Sequence, residues 1–471
     1  MRGDHPPVEP LHTSPPAMSA VEASRGLGAV LDYLREDPIG HTIHPASLRP
    51  PSHPSSSSAA AAAAADDHAT KWVLLDLTAY IADRRNASTA ASFTRAGHAV
   101  HATLCAARPP RVTLLCVHCP ALPASDFGAE PRVVATAAGG LVLLHAAVCN
   151  PSVAFETAMQ DLFVYRASPP SGSPPSLAPL PRPPAPCLFL PSNVGILPCG
   201  DGRYVIAMLH PVSHSAGEVG RRCSLTRFRS GDGEWSTTAL DVGRLPPSPG
   251  LTSFCHISSK VIALGGGFMG WVDLARGILL CDVLADDPEL HYIPLPPAAA
   301  AADAVNGGRQ LTGTTARASR DVAVVQGYIK LVVHHAHVRP GSFRDGTYVS
   351  DDWTATTFGR KIDLGCWEGG RWQEHRRCNA SDVAGSLPEL LGCKLSLPAL
   401  QRLRTGLPTQ SLEEDDEIYF LAKIDHRDDQ GFVIAVNLRD GALQGAECFV
   451  TEKTMGISLT YAQCLLSDDH L

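Results

Sequence analysis

The chain has 471 residues, 44% of them hydrophobic and 18% charged, a globular balance at a length that buries roughly 75% of the unfolded surface without covalent staples. Lys and Arg total 39 against 47 Asp and Glu, for a net charge of −8; this opposes attraction to phosphate backbones and anionic lipid, so neither nucleic acid nor a membrane surface is an expected partner. No run of 18 uninterrupted apolar residues occurs, and the first 25 residues carry Asp4, Glu9 and prolines in place of the apolar core of a secretory signal. The expectation is an unsecreted protein of the cytoplasm and/or nucleus, whose 14 cysteines stay reduced and unpaired.

Residues 1–70 are rich in Pro, Ser, His and Ala, ending in Ser55–Ser58 and Ala59–Ala65, a composition too poor in apolar variety to pack, and are read as a disordered tail. From Trp72 the texture changes to short runs of Val, Ile, Leu and Phe punctuated by Gly, Asp and Pro, which is strand and turn. Candidate strands are Trp72–Leu77, Val112–Val117, Val133–Thr136, Leu141–His145, Leu162–Tyr165 and Tyr204–Leu209. Leu225–Arg229 and Trp235–Leu240 flank Gly231-Asp232-Gly233 as a hairpin. Phe358–Trp367 and Arg371–Arg376 flank Glu368-Gly369-Gly370 in the same way, and Ile418–Ile424, Phe432–Asn437, Glu447–Val450 and Ser458–Cys464 complete the series.

On the order of two dozen such strands, with turn signals every ~8 to 15 residues, indicate an all-β, β-propeller-like domain of about six four-stranded blades over residues 71–467. Three insertions are read into it: 167–186, proline-rich; 296–310, with an alanine run and a glycine pair; and 379–408, where Leu387, Leu390, Leu391, Leu400 and Leu403 predict the one substantial helix. The acidic run Glu413–Glu417 and the basic pairs Arg84-Arg85, Arg221-Arg222 and Arg376-Arg377 read as solvated loops and turns.

Several segments together resemble a plant family, expanded chiefly in grasses, known as domain of unknown function 1618. They are Trp72-Val-Leu-Leu-Asp76, Val148-Cys-Asn150-Pro151, Gly270-Trp-Val-Asp-Leu274, Arg276-Gly-Ile-Leu-Leu280-Cys-Asp-Val283 and Tyr292-Ile-Pro-Leu-Pro296. The motif residues the resemblance singles out are Trp72, Asp76, Asn150, Pro151, Trp271, Asp273, Gly277, Cys281 and Asp282. A Trp between blades and an Asp capping a turn give these positions a structural reading ahead of a binding rim. A looser likeness joins Gly140–Pro151 to the propeller-like domains that follow F-box motifs in ubiquitin-ligase substrate receptors, although nothing upstream of Trp72 resembles an F-box.

Two local patterns carry possible chemistry. Gly265, Gly267 and Gly270 spell the dinucleotide fingerprint G-x-G-x-x-G with Asp286 downstream, but the third glycine opens Trp271–Gly277, which reads as strand and turn and lacks the helix N-terminus that binds pyrophosphate. Cys116-Val-His118-Cys119, with Cys105 nearby, has the spacing of half a zinc site; completion requires His334, His335 or His337 to arrive by long-range folding. No G-x-S-x-G, G-K-[ST] or H-E-x-x-H is present. The expected function is a non-catalytic module binding an unidentified protein partner, with no cofactor, no metal and no catalytic residue assigned. The alternatives are a ligase adaptor without its own F-box and an enzyme or small-molecule binder using a central channel.

Overall fold

Short strands follow one another along the chain; five sheets each gather four antiparallel strands, and a sixth gathers six strands with two parallel pairings. The computed structural model describes residues 43–51, 70–148, 161–167, 173–184, 192–211, 222–242, 256–299, 316–340, 348–367, 369–385, 400–425, 428–450 and 460–466. All of this lies in the unit His41–Leu471; the other unit, Met1–Gly40, falls outside the described residues.

Blade 1 holds β1 (Trp72–Asp76), β2 (Tyr80–Ile81), β3 (Ala90–Phe93), β4 (Ala99–Cys105) and β5 (Val112–His118). Blade 2 is β6 (Phe127–Ala137), β7 (Leu141–Val148), β8 (Asp161–Arg166) and β9 (Ser176–Pro179); blade 3 is β10 (Val194–Pro198), β11 (Tyr204–Pro211), β12 (Arg222–Arg229) and β13 (Glu234–Asp241). Blade 4 is β14 (Lys260–Gly265), β15 (Phe268–Asp273), β16 (Gly277–Asp282) and β17 (Leu290–Pro294). Blade 5 is β18 (Arg320–Val325), β19 (Tyr328–Pro340), β20 (Tyr348–Lys361) and β21 (Gln373–Asn379); blade 6 is β22 (Arg404–Gln410), β23 (Glu417–Lys423), β24 (Gln430–Asn437) and β25 (Ala442–Val450). The last strand, β26 (Tyr461–Leu465), returns to blade 1 and pairs antiparallel with β1 from Trp72↔Leu465 to Asp76↔Tyr461, giving the order β26-β1-β5-β4-β3. The six sheets form a six-bladed β-propeller, the expected architecture, closed by a strand from each end of the folded unit.

The core is divided into six apolar layers, one between each pair of neighbouring blades, because both faces of every blade are covered. The layer between blades 3 and 4 centres on Trp271 with Leu225, Leu279 and Cys281; the layer between blades 5 and 6 centres on Trp353 and Phe420. Trp72, Tyr419 and Phe449 fill the layer that joins blade 6 to blade 1. Burying each of these large side chains contributes about 1.5–3 kcal/mol or more, so every blade is held mainly by its neighbours.

Several sequence expectations change in detail. The proline-rich 167–186 segment is not all loop: Ser176–Pro179 is the outer strand of blade 2, where proline is tolerated because one edge needs no ladder partner. Arg404–Gln410 is a strand, so the insertion expected at 379–408 ends earlier, and the helix predicted within it falls on 386–399, outside the described residues. Its flanks are single 3-10 turns, Ala380–Asp382 and Leu400–Arg402. The hairpin expected across Glu368–Gly370 has a longer connection, since β20 ends at Lys361 and β21 begins at Gln373. Within the presumed tail, Pro45–Leu48 forms a 3-10 turn and His44 N donates to Glu130 Oε1 at 2.7 Å. Among the described residues, no helix is long and apolar enough to cross a membrane.

Candidate functional site

Of the residues singled out by the resemblance, those among the described residues sit inside the blades and their turns. Trp271 is fully buried and its Nε1 donates to the Asn193 carbonyl at 2.8 Å, tying blade 4 to the start of blade 3. Asp273, also fully buried, accepts from Ile257 N and Ala275 N, each at 2.9 Å, and from Arg276 Nη1 at 3.1 Å, which fixes the β15–β16 turn. Gly277 is where the chain re-enters the sheet, and any Cβ there would collide with Tyr292 and the Ile293 carbonyl. Burial pushes the Cys281 thiol up to about 12. Asp282 Oδ1 accepts from Leu284 N and Ala285 N; Asp76 Oδ1 accepts from Thr78 N, and Trp72 packs edge-on against Tyr419 at 5.5 Å. Asn150 and Pro151 lie outside the described residues.

Among the described residues, the structure places the two sequence patterns in a strand turn and in the core of blade 1. Gly265, Gly266 and Gly267 all have positive φ and form the tight turn from β14 to β15, so Gly270 continues a strand instead of opening a helix. Cys116 and Cys119 are buried, and His118 Nδ1 lies 3.4 Å from Asp83. His334 is enclosed far away between Trp353 and Phe420. Among the described residues, no three His, Cys, Asp or Glu side chains are placed to hold a metal ion. The Cys105 thiol is drawn down to about 7 by a hydrogen bond with Cys116, helped by Arg84 and opposed by burial.

Near the propeller axis, five of the six inner strands contribute to one polar cluster. Asp321 of β18 pairs with Lys260 of β14 at 2.8 Å, and Gln463 of β26 bridges them through Oε1 to Lys260 (3.0 Å) and Nε2 to Asp321 (2.6 Å). Gln410 of β22 donates its N–H to Asp321 at 3.2 Å, and Thr136 of β6 donates to the Gln463 carbonyl at 2.8 Å. Burial pulls the Lys260 ammonium below its ordinary range, while Asp321 opposes that shift. Burial likewise pulls the Arg317 guanidinium down, and Asp321 is the carboxylate that opposes the shift of both cations.

A second polar centre opens to solvent between blades 5 and 6, as a groove of about 350 Å³ lined by Glu374, His375, Arg376, Asp415, Asp416 and Arg439. Blade 5 supplies one wall through a β-bulge: Thr357 pairs with Arg376 but Phe358 with Glu374, leaving His375 as the extra residue of β21. Its ring lies directly over Gly359, where any Cβ would collide with it. Lys330 of β19, paired across from Gly359, sends Nζ to His375 Nδ1 (3.0 Å) and to Asp415 Oδ2 (3.2 Å) and lies 5.4 Å from the centre of the Tyr328 ring. Burial, then the Lys330 charge, pulls the His375 pKa down, so the imidazole is neutral near pH 7: Nδ1 accepts from Lys330 and Nε2 carries the proton.

Blade 6 supplies the other wall from the acidic run, which is built into the fold instead of being solvated along its length. Ser411 Oγ accepts from Glu413 N and Glu414 N, Gln410 Nε2 donates to the Asp415 carbonyl, and Gln326 Nε2 donates to that of Glu413. This wiring buries the Asp416 carboxylate between two arginines. Arg439, in the β24–β25 turn, approaches Oδ2 through Nε at 2.7 Å and Nη2 at 2.5 Å; Arg376 approaches Oδ1 through Nε at 3.4 Å. Both arginine side chains remain substantially exposed, 62% for Arg439 and 42% for Arg376, against 10% for Asp416. The pair Arg376-Arg377 is thus strand, not solvated turn, with Arg377 paired to Glu374 at 3.5 Å. Sequence reasoning noted the acidic run and the arginine pair but had no signal that they meet.

No functionally curated protein matches the chain. Among solved structures, the WD40 domain of SCAP from fission yeast aligns over 84% of this chain and 92% of its own at 12% identity and a TM-score of 0.29. Hydrazine synthase from Kuenenia stuttgartiensis aligns over 66% of this chain at 11% identity and a TM-score of 0.26, and this chain spans 65% of its length. At those scores neither superposition identifies a shared fold or a shared activity. Residues 271–419, from Trp271 in β15 to Tyr419 in β23, match the model of the family described as a protein of unknown function (DUF1618), which supports the family resemblance carried by the motif residues.

Proposed function

We propose that the chain is a non-catalytic protein-interaction module whose recognition surface is the face bearing the groove between blades 5 and 6. The observation that carries this reading is the shared carboxylate: buried Asp416 fixes two exposed guanidinium groups, from different blades, beside one open cleft. Rigid backbone elements thereby present polar groups in a preset geometry, which lowers the entropic cost of binding. The axial cluster is compatible with the same reading, because Asp321, Lys260 and Gln463 are bonded to one another within the fold. Placement in the cytoplasm and/or nucleus belongs to this proposal as well.

A photo-crosslinking residue placed at exposed Arg377, beside the groove, is expected to trap a discrete protein adduct in native extract. The same residue at exposed Glu234, in the outer strand of blade 3, is expected to trap none. Absence of adducts at Arg377, or equal adducts at both positions, would refute the assignment of the recognition face.

A further inference from the structure

Cys105 and Cys116 lie on adjacent strands of blade 1, and their side chains share one face of the sheet. In the β4–β5 register Thr103 pairs with Cys116 and Cys105 with Leu114, so the two cysteines are diagonal neighbours. Tyr80, Leu114 and Cys116 form a small apolar cluster against which Cys105 packs. The two thiols differ in access: Cys105 is partly exposed, whereas Cys116 is 1% exposed. Their hydrogen bond, with the Arg84 charge nearby, keeps a large part of the Cys105 thiol ionised near pH 7. Burial pushes the thiols of Cys119, Cys223, Cys281 and Cys464 the other way.

We propose that Cys105 and Cys116 form a peroxide-sensitive dithiol, with Cys105 as the nucleophile and Cys116 as the resolving thiol. A partly exposed thiolate held against a second, enclosed thiol is the arrangement that peroxide oxidises reversibly. The Cys105 thiolate attacks one oxygen of hydrogen peroxide, so an S–O bond forms as the O–O bond breaks. Sulfur is oxidised to the sulfenic acid, and the second oxygen leaves as hydroxide and takes a proton from solvent. The Cys116 sulfur then attacks the Cys105 sulfur: the S–S bond forms, the S–O bond breaks, and the hydroxyl leaves as water with the Cys116 proton. One peroxide and two thiols thus give one disulfide and two waters. Diagonal Cα atoms lie about 7–8 Å apart in a regular ladder, and a disulfide spans about 4.4–6.8 Å, so closure draws the strands together. Cys105 is the last residue of β4 and is followed by exposed Ala106, so this movement falls on a strand end. A bridge closed under such strain is readily reduced by an external thiol, which returns the pair to its resting dithiol.

The test treats the full, reduced chain with hydrogen peroxide, blocks remaining thiols with iodoacetamide and maps the digest by mass spectrometry. A linked Cys105–Cys116 peptide is expected, and dithiothreitol should restore both thiols. Cys116→Ala should stop at the sulfenic acid, so that dimedone labels Cys105 several-fold more than in wild type. Cys105→Ser should leave Cys116 unoxidised, and Cys366→Ser, which removes an exposed thiol elsewhere, should leave the linkage unchanged. The linkage in the wild-type chain is read without any substitution, so a variant that fails to fold leaves the test intact. Both cysteines still blocked by iodoacetamide after peroxide, a Cys105 disulfide to some other cysteine, or equal dimedone labelling in wild type and Cys116→Ala would overturn the proposal.

Discussion

Asp273→Ala tests whether the family motif is a scaffold. The wild-type carboxylate has no solvent exposure and accepts from two backbone N–H groups and from Arg276. Alanine strands Ile257 N and Ala275 N and leaves a largely enclosed guanidinium without its carboxylate. At about 1–3 kcal/mol for each buried donor left unsatisfied, the loss comes to about 3–5 kcal/mol. The folded unit His41–Leu471 is large, and an unfolding entropy of about 2.1 cal/mol/K per residue makes each kcal/mol worth about 1 °C, so the melting temperature should drop by about 3–5 °C. Asp273→Asn should cost less, because its carbonyl keeps one backbone donor while its NH2 faces another. Differential scanning calorimetry and urea midpoints read both variants. An alanine variant melting within about 1 °C of wild type would show that the turn does not depend on this carboxylate, and the scaffold reading of Asp273 would fail.

Two further outcomes follow from packing and titration. Gly359→Ala places a Cβ against the His375 ring and should cost about 1–3 kcal/mol by overpacking; in a His375→Ala background the same change should cost under about 0.5 kcal/mol, and equal costs in urea denaturation would rule out the predicted contact. His334 is buried between Trp353 and Phe420 with its pKa lowered to about 3, chiefly by burial. The unfolded chain therefore takes up a proton near pH 6.5 that the folded chain refuses, and stability falls as pH drops through the window from 6.5 towards 3. Between pH 7 and pH 5 His334 should contribute about 2 kcal/mol of the loss, beside that of other buried histidines such as His256, and His334→Gln should remove that share; an equal pH dependence in both proteins would contradict the assignment.

The propeller was legible because strand chemistry is local: alternating branched residues with Gly, Asp and Pro at the turns specify each hairpin, and the number of hairpins specifies the blades. What escaped was also physical. Ser176–Pro179 looks like loop because an outer edge strand tolerates proline. Arg404–Gln410 hides its alternation behind a bulge between Gly406 and Thr409 and a positive φ at Leu407, while Leu400 and Leu403 mimic helical spacing. The groove left no trace at all, since Lys330, His375, Asp416 and Arg439 come from four separate strands and turns and meet only when two blades pack. Each taken alone is a charge on a polar surface.

The axial cluster shows how a polar centre of the ring can serve folding. A strand side chain alternates faces with every residue, so slipping β26 by one position against β1 would put Ala462 or Cys464 where Gln463 stands. Neither can bridge Lys260 and Asp321, and the slipped ring would leave a buried ion pair without its bridging amide. A buried polar group of this kind contributes little net stability but penalises every wrong register. Gln463 thus couples the closing strand to blades 4, 5 and 6 at once, and the Thr136 bond to its carbonyl adds blade 2. These groups are committed to holding four blades in register, whereas Arg376 and Arg439 are anchored by one carboxylate on an exposed edge.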